Sequence, residues 1–182
     1  MSLLSIGEVA LWVPLAAGND TLITAAIARA QGLADAYCRR SLEAAERTET
    51  FDIEPAMNCL PLGTWPIDTT EDLIVVEAGV TLQSTNYELD AVNGLLHRKD
   101  SYWYRDQRAV TVTYTGGYTE TTCPGGLKEA LLRLVAWIIG TRGNVGAKQE
   151  SQDGYSVTYE DMDGPVPASV GQMLQPFKRV SI

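Results

Sequence analysis

The chain has 182 residues, a formal net charge of −9 and 45% hydrophobic residues, which suits one domain with room for an inserted sub-domain. That hydrophobic fraction excludes a disordered chain, and no apolar run approaches the roughly 18 residues that a membrane span needs. The acidic balance argues against a reader of nucleic-acid sequence, because such proteins displace phosphate counterions with basic side chains.

The opening MSLLSIGEVALWVPLAAG resembles a signal peptide only in hydropathy, since the first basic residue is Arg29 and Glu8 interrupts the apolar part. Ser5 and Glu8 have capping-box spacing and Pro14 follows, which predicts a short helix ending at Val13. Asn19 or Asp20 then caps a long helix running to about Leu42. Ile23, Ile27, Ala30, Ala34 and Tyr37 step by four and three residues along it and form a narrow apolar seam. Its many alanines allow another helix to approach closely, and Arg39 and Arg40 in the last turn favour the helix dipole.

The period then changes from helical to alternating. Thr48 to Ile53, Leu73 to Val76, Val80 to Gln83, Tyr87 to Leu89, Leu95 to His97 and Ala109 to Thr115 read as short strands. Pro61-Leu62-Gly63, Ala78-Gly79 and Asn93-Gly94 read as turns between them, the last as a hairpin turn. In the final run Val110, Val112 and Tyr114 face one way and the intervening threonines the other, as in a sheet with one face on a core. The segment from Glu43 to Asp90 holds eleven acids and one base, Arg47, so it is strongly acidic. On composition alone it reads as a solvated sheet face.

A glycine pair, Gly116-Gly117, and then the loop TTCPGG lead to a second long helix. Pro124 stands at its first position with Thr122 or Cys123 as cap, and Leu127, Leu131, Leu134, Val135 and Ile138 form its buried stripe. Gly140 and Gly143 end it. The stretch Lys148 to Gly154 reads as loose, Tyr155 to Glu160 as one more strand, and the end as one or two helical turns with a basic-aromatic tail. The class is α+β: a small helical bundle of two long helices plus short terminal helices, with an inserted antiparallel β layer. The expected division is 1–46 with 119–182 for the helical part and 47–118 for the β insertion.

Few residues point to chemistry. The glycine-rich corner lacks the lysine and hydroxyl of a phosphate loop, because Gly126 is followed by Leu127, and no GxGxxG pattern occurs. It reads as a turn with no ligand in it. Cys38, Cys59 and Cys123 are an odd number at wide spacing, which fits a reducing compartment and no disulfide framework. With His97 they make no paired metal-ligand motif, and His97 reads as an exposed loop or strand-end residue. The acid pairs Glu71-Asp72 and Asp161-Asp163 flank turn residues. No enzyme, cofactor or metal is expected. The cluster Tyr102-Trp103-Tyr104 is the best binding-site candidate by composition, which leaves a carbohydrate- or peptide-binding β module as the alternative reading.

The order of motifs resembles the head–tail connector (adaptor, or head-completion) proteins of long-tailed bacteriophages. The likeness is carried by DTLITAAIARAQGLADAYCRRSL, ERTETFD, PLGTWPI, YELDAVNGLL, VTVTYTGGY leading into PGGLKEALLRLVAWIIGTRGN, DGYSVTYE and the QPFKRV tail. The resemblance implies a non-enzymatic virion protein at the head–tail junction, assembled in the host cytoplasm. It further implies rings of about twelve subunits, packed helix on helix around the DNA channel. Ile23, Ile27, Ala30, Ala34, Tyr37, Leu131, Leu134 and Ile138 are then candidates for subunit packing. Phe177, Lys178 and Arg179 are candidates for a tail contacting the portal protein or a neighbour. Glu71 and Asp72 are candidates for an acidic channel surface that lets DNA pass without sequence-specific binding. The implied partners are the portal protein, further copies of the chain, the next tail-side connector (stopper) and the passing DNA, with no membrane.

Overall fold

The computed structural model describes residues 2–13, 19–99, 101–142, 149–152, 155–158 and 162–179. In chain order the elements are α1 (Ile6–Trp12), α2 (Asp20–Cys38), β1 (Ala45–Phe51), β2 (Cys59–Pro61), β3 (Ile74–Glu77), β4 (Val80–Thr81), β5 (Tyr87–Asp90) and β6 (Leu95–Arg98). They continue with β7 (Val110–Gly116), α3 (Gly125–Gly140), β8 (Gln149–Gln152), β9 (Tyr155–Thr158), β10 (Met162–Asp163), β11 (Val166–Pro167) and α4 (Ala168–Leu174). The class is α+β. The chain forms two compact units, Met1–Arg40 with Thr119–Ile182, and Ser41–Tyr118. Charge divides unevenly between them. Ser41–Tyr118 holds 13 acids and 5 bases, a net −8, and the other unit holds 10 acids and 9 bases, a net −1.

In the helical unit α2 packs on α3, α4 packs on both, and α1 lies against α2 and α3. The α1 capping box forms: the Glu8 amide donates to Ser5 Oγ at 3.3 Å and the Ser5 amide to Glu8 Oε2 at 2.9 Å. Glu8 also accepts from Lys128 Nζ at 2.9 Å, which ties α1 to α3. α2 stops at Cys38 rather than near Leu42. Arg39 turns left-handed (φ 55°) and the Arg40 amide closes back onto the Asp35 carbonyl at 3.2 Å, a turn that cannot continue a helix. Pro124 stands just outside α3, not at its first helical position, because its ψ of 140° is extended. The stripe Leu127, Leu131, Leu134, Val135 and Ile138 is buried as its spacing predicts. Gln149–Gln152 pairs antiparallel with Tyr155–Thr158, so this part of the expected loose stretch is a strand. Pro14, Gly143, Tyr159 and Glu160 lie outside the described residues.

The β unit contains two antiparallel sheets rather than one layer. One has the order β1-β7-β3-β4 and the other β2-β6-β5. β7 is central to the first sheet, and its alternation is visible in burial. Val110, Val112 and Tyr114 are buried, while Thr111, Thr113 and Thr115 are half-exposed. On the open face threonines meet in register, Thr48 with Thr113 at 2.9 Å and Thr50 with Thr111 at 3.4 Å. β2 was missed as a strand because PLG reads as a turn; only Pro61 belongs to it, pairing with Leu95. The turn at Asn93-Gly94 joins β5 to β6, with Gly94 at φ 66°. Leu60, Leu62, Val75, Leu96, Trp103 and Tyr114 lie in the core of this unit, and each large apolar side chain fully buried there contributes on the order of 1.5–3 kcal/mol.

The first and last strands of the unit are neighbours. The Ala44 amide donates to the Tyr118 carbonyl at 2.8 Å and the Tyr118 amide to the Leu42 carbonyl at 2.7 Å, so entry and exit are hydrogen-bonded side by side. The glycine pair sits at this place. A Cβ on Gly117, whose φ is 114°, would lie 2.6 Å from the Glu43 carbonyl; one on Gly116 would lie 2.8 Å from the Thr64 oxygen and from the Tyr114 ring. A side chain at either position would meet neighbouring atoms at less than van der Waals distance. The glycines permit close approach at a corner.

Candidate functional site: interaction surfaces

The eight residues expected at subunit contacts are placed elsewhere by the fold. Ile23, Ile27, Ala30, Ala34 and Tyr37 on α2, with Leu131, Leu134 and Ile138 on α3, are buried within the chain itself. They hold the helical unit together, so the surface that any neighbour meets is formed by other side chains. A narrow seam in sequence cannot distinguish the two cases, because burial against one's own helices and against another copy's have the same period.

The tail residues lie against the last turn of α2. Gln175 Nε2 donates to the Tyr37 hydroxyl at 2.8 Å, Arg40 Nε to the Phe177 carbonyl at 2.8 Å, and the Arg179 amide to the Cys38 carbonyl at 2.8 Å. Lys178 Nζ stands 4.6 Å from the centre of the Tyr37 ring, within cation–π range. Phe177 and Lys178 are half-buried and Arg179 is exposed, as is Arg39 nearby in sequence to Arg40. Cationic side chains thus gather at the C-terminal end of α2, where the helix dipole favours them.

Glu71 and Asp72 are exposed just before β3. The turn leading to them is shaped by Asp68, whose carboxylate accepts from the Thr70 amide at 2.8 Å and the Thr70 hydroxyl at 2.6 Å. Those two bonds hold the Asp68 carboxyl below its ordinary range. The aromatic cluster is split. Trp103 is 3% exposed in the core, while Tyr102 and Tyr104 face solvent. Arg98 lies 5.8 Å from the Trp103 ring centre, pairs with Glu77 at 3.2 Å and donates to the Asn86 carbonyl; Glu77 accepts the Tyr104 amide at 2.8 Å. This network turns the indole inward. The three-ring platform required by a carbohydrate-binding reading is not formed.

The cysteines and the histidine are placed as follows among the described residues. His97 stands near the end of β6, as one of its two expected placements had it, but half-buried rather than exposed, and its Nε2 lies 3.8 Å from Cys59 Sγ across the β2–β6 pair. Burial raises the Cys59 thiol and pushes Cys38 and Cys123 up to about 11, so all three stay protonated near neutrality, the form that is a poor nucleophile. Among the described residues no group of three or more His, Cys, Asp or Glu side chains could hold a metal ion. An open groove of about 460 Å³ lies beside the β3–β4 turn, lined in part by Val76, Tyr104, Asp106, Arg108 and Thr111. It holds no pairing of nucleophile and base.

Sequence reasoning missed one polar constellation. Glu49 points inward from β1 and accepts the Gly63 amide through both oxygens, at 3.1 and 3.0 Å, and the Tyr114 hydroxyl at 2.6 Å. That hydroxyl accepts in turn from the Thr64 amide at 3.1 Å. Burial first, then the bond to the Glu49 carboxylate, drives the Tyr114 phenol well above its ordinary range, so it remains a donor. The signal was available in TETF, where strict alternation puts Glu49 on the same side as Phe51.

With these surfaces in place, comparison decides the setting. A family model described as head completion protein matches residues 2–180. The chain belongs to the head completion protein family. No curated protein matches it. Its fold is similar to that of a chain in the neck of an empty gene transfer agent (GTA) particle computed with C6 symmetry, with a TM-score of 0.68 and 14% identity over 99% of this chain and 91% of that one. A chain in the virion of the native particle gives 0.67 at 13% identity over 99% and 91%. One in the native neck computed with C12 symmetry gives 0.60 at 14% identity over 97% and 89%. Identity this low speaks to the fold alone. Head completion proteins are virion structural proteins, and membership gives this chain a structural role at the head–tail junction of a phage-like particle.

Proposed function

We propose that this head completion protein is a non-enzymatic adaptor. In this reading about twelve copies close into a ring that docks on the portal, surrounds the DNA channel and receives the next tail-side connector. The observation that carries this reading is the family match over residues 2–180, supported by a fold shared across nearly the whole chain with neck chains from symmetric particles. The cationic end made by Arg39, Lys178 and Arg179, with Phe177 beside it, is the surface for the portal or a neighbouring subunit. Glu71 and Asp72, exposed on the unit of charge −8, face the passing DNA and keep it from adhering. Assembly takes place in the host cytoplasm.

Particles assembled without this chain test the reading. We expect filled heads that neither retain DNA nor join tails, both restored by adding the chain back, and ring density beneath the portal in electron micrographs. Normal tail joining in its absence would overturn the adaptor role. The channel assignment has its own test. Glu71→Lys with Asp72→Lys is expected to slow DNA ejection, and unchanged retention and ejection would remove those two residues from the channel.

A further inference from the structure

We propose that the open face of the sheet β1-β7-β3-β4, with the groove at its β3–β4 turn, receives a segment of a different virion protein. That segment is uncharged along most of its length and carries a carboxylate that meets Arg108. The proposal goes beyond the adaptor reading and needs only that the chain is part of the particle. Cross-strand register fixes what the face is made of, because residues directly opposite in a ladder share a side. Thr50, Thr111, Val76 and Thr81 form one row, and Thr48, Thr113 and Ile74 the next. Every member of both rows is uncharged and β-branched, on a unit of net charge −8. The threonine hydroxyls already bond one another, at 2.9 Å for Thr48 with Thr113 and 3.4 Å for Thr50 with Thr111. Covering them leaves few hydrogen bonds unmet, and stiff β-branched side chains have little rotamer freedom to lose.

The strip has two unlike ends. Glu46 opposite Thr115 closes it at one end. At the other, Val76 and Thr111 are also walls of the groove of about 460 Å³, so face and groove are continuous. Tyr104 and Arg108 stand across that groove. Tyr104 is 56% exposed, and its amide is fixed by the Glu77 carboxylate at 2.8 Å. Arg108 is exposed and left-handed at φ 52°, its amide held by Asp52 Oδ1 at 2.7 Å. A residue with a side chain stays in that conformation only where its surroundings enforce it. Among the described residues the Arg108 guanidinium is in no ion pair, while Asp106 in the same groove accepts the Gln107 amide at 2.8 Å.

Charge selects the occupant. A guanidinium beside a phenol ring at the end of an uncharged strip suits a polypeptide carboxylate, which Arg binds through paired N–H donors. Nucleic acid is opposed by Asp106 and by the charge of the whole unit. A second copy would bring its own unit of −8 against this one. Glu71 and Asp72 precede the opposite end of β3, so this surface is separate from the one assigned to passing DNA.

The test is p-benzoylphenylalanine in place of Tyr104 of the full chain, carried in assembled particles and irradiated. The expected adduct joins the chain to a different virion protein, mapped by mass spectrometry to a peptide containing Asp or Glu. Arg108→Glu is expected to lower the yield at least roughly tenfold, with the thermal midpoint of the isolated chain unchanged. Exchanging the mapped partner acid for Arg is expected to restore it, which a merely misfolded variant would not show. Thr50→Glu, placing a charge in the row that enters the groove, is expected to lower the yield as well. An adduct to another copy of this chain or to DNA overturns the proposal, as does no adduct from particles that contain the chain. So does a yield indifferent to Arg108→Glu, or one that the charge exchange fails to restore. None of these outcomes touches ring formation or portal docking, so the adaptor reading is decided by its own experiments.

Discussion

Tyr114 shows how one hydroxyl organises the β unit. It donates to the Glu49 carboxylate and accepts from the Thr64 amide, linking β7, β1 and the loop between β2 and β3. Tyr114→Phe is expected to destabilise the chain by about 1.5–3 kcal/mol, the range for a hydrogen bond to a charged group, read as a lower urea midpoint at unchanged slope. Glu8 acts in the other unit. The Ser5 amide, and after it Lys128, holds its carboxyl below the ordinary value of 4.5. A group lowered on folding contributes stability that is present above its unfolded value and lost as pH falls through the folded one. The protection factors of amides in Ile6–Trp12, corrected for the pH dependence of intrinsic exchange, are therefore expected to fall as pH drops below 4.5, while those in the middle of α3 hold. The capping box behind this effect was legible from Ser5 and Glu8 alone, because capping is local. The partner Lys128 was not legible, since 120 residues separate it from Glu8 and only packing brings them together.

Among the elements, regular pattern and the glycine turns at Ala78-Gly79 and Asn93-Gly94 were readable, whereas the end of α2 and the strand β2 were not. Alternation in VTVTYT and the stripe on α3 predict what is buried. The early stop of α2 at Arg39 and the short strand β2 depend on a left-handed residue and on a proline tolerated at a strand end, neither of which periodicity registers. The residues read as a subunit seam prove to be internal core for the same reason, since periodicity gives a face without its partner. Glycines sharpen the point. Gly117→Ala forces a Cβ into the Glu43 backbone at positive φ and is expected to lower stability by roughly 1–3 kcal/mol or more, seen as a depressed thermal midpoint. Gly32→Ala, with open space in the interior of α2, is expected to raise stability by about 0.5–1 kcal/mol. The two substitutions are chemically identical and opposite in sign, so the pair tests the corner rather than glycine content.

For the whole molecule, the insertion of Ser41–Tyr118 between the two long helices follows from its adjacent entry and exit strands. It has its own apolar core, so a fragment of residues 41–118 is expected to unfold in one cooperative thermal transition with near-ultraviolet circular dichroism intact beforehand. A gradual, featureless melt would show that the β unit depends on its host. The α+β class and the head–tail resemblance were legible from motif order along the chain. The exposure of Leu11 and Trp12 was not, because in an apolar stretch they look like core until burial is known.

The uneven division of charge has a consequence for the solution in which copies meet. Subunits that each concentrate −8 in one unit repel at long range, and mobile ions screen that repulsion over a Debye length of about 10 Å at 0.1 M and about 3 Å at 1 M. An apolar contact is left untouched or strengthened by the same ions. Raising ionic strength should therefore tighten the association of copies with one another, measured by sedimentation. It should loosen any docking that depends on Arg39, Lys178 and Arg179. The two halves of the junction would respond to salt with opposite sign.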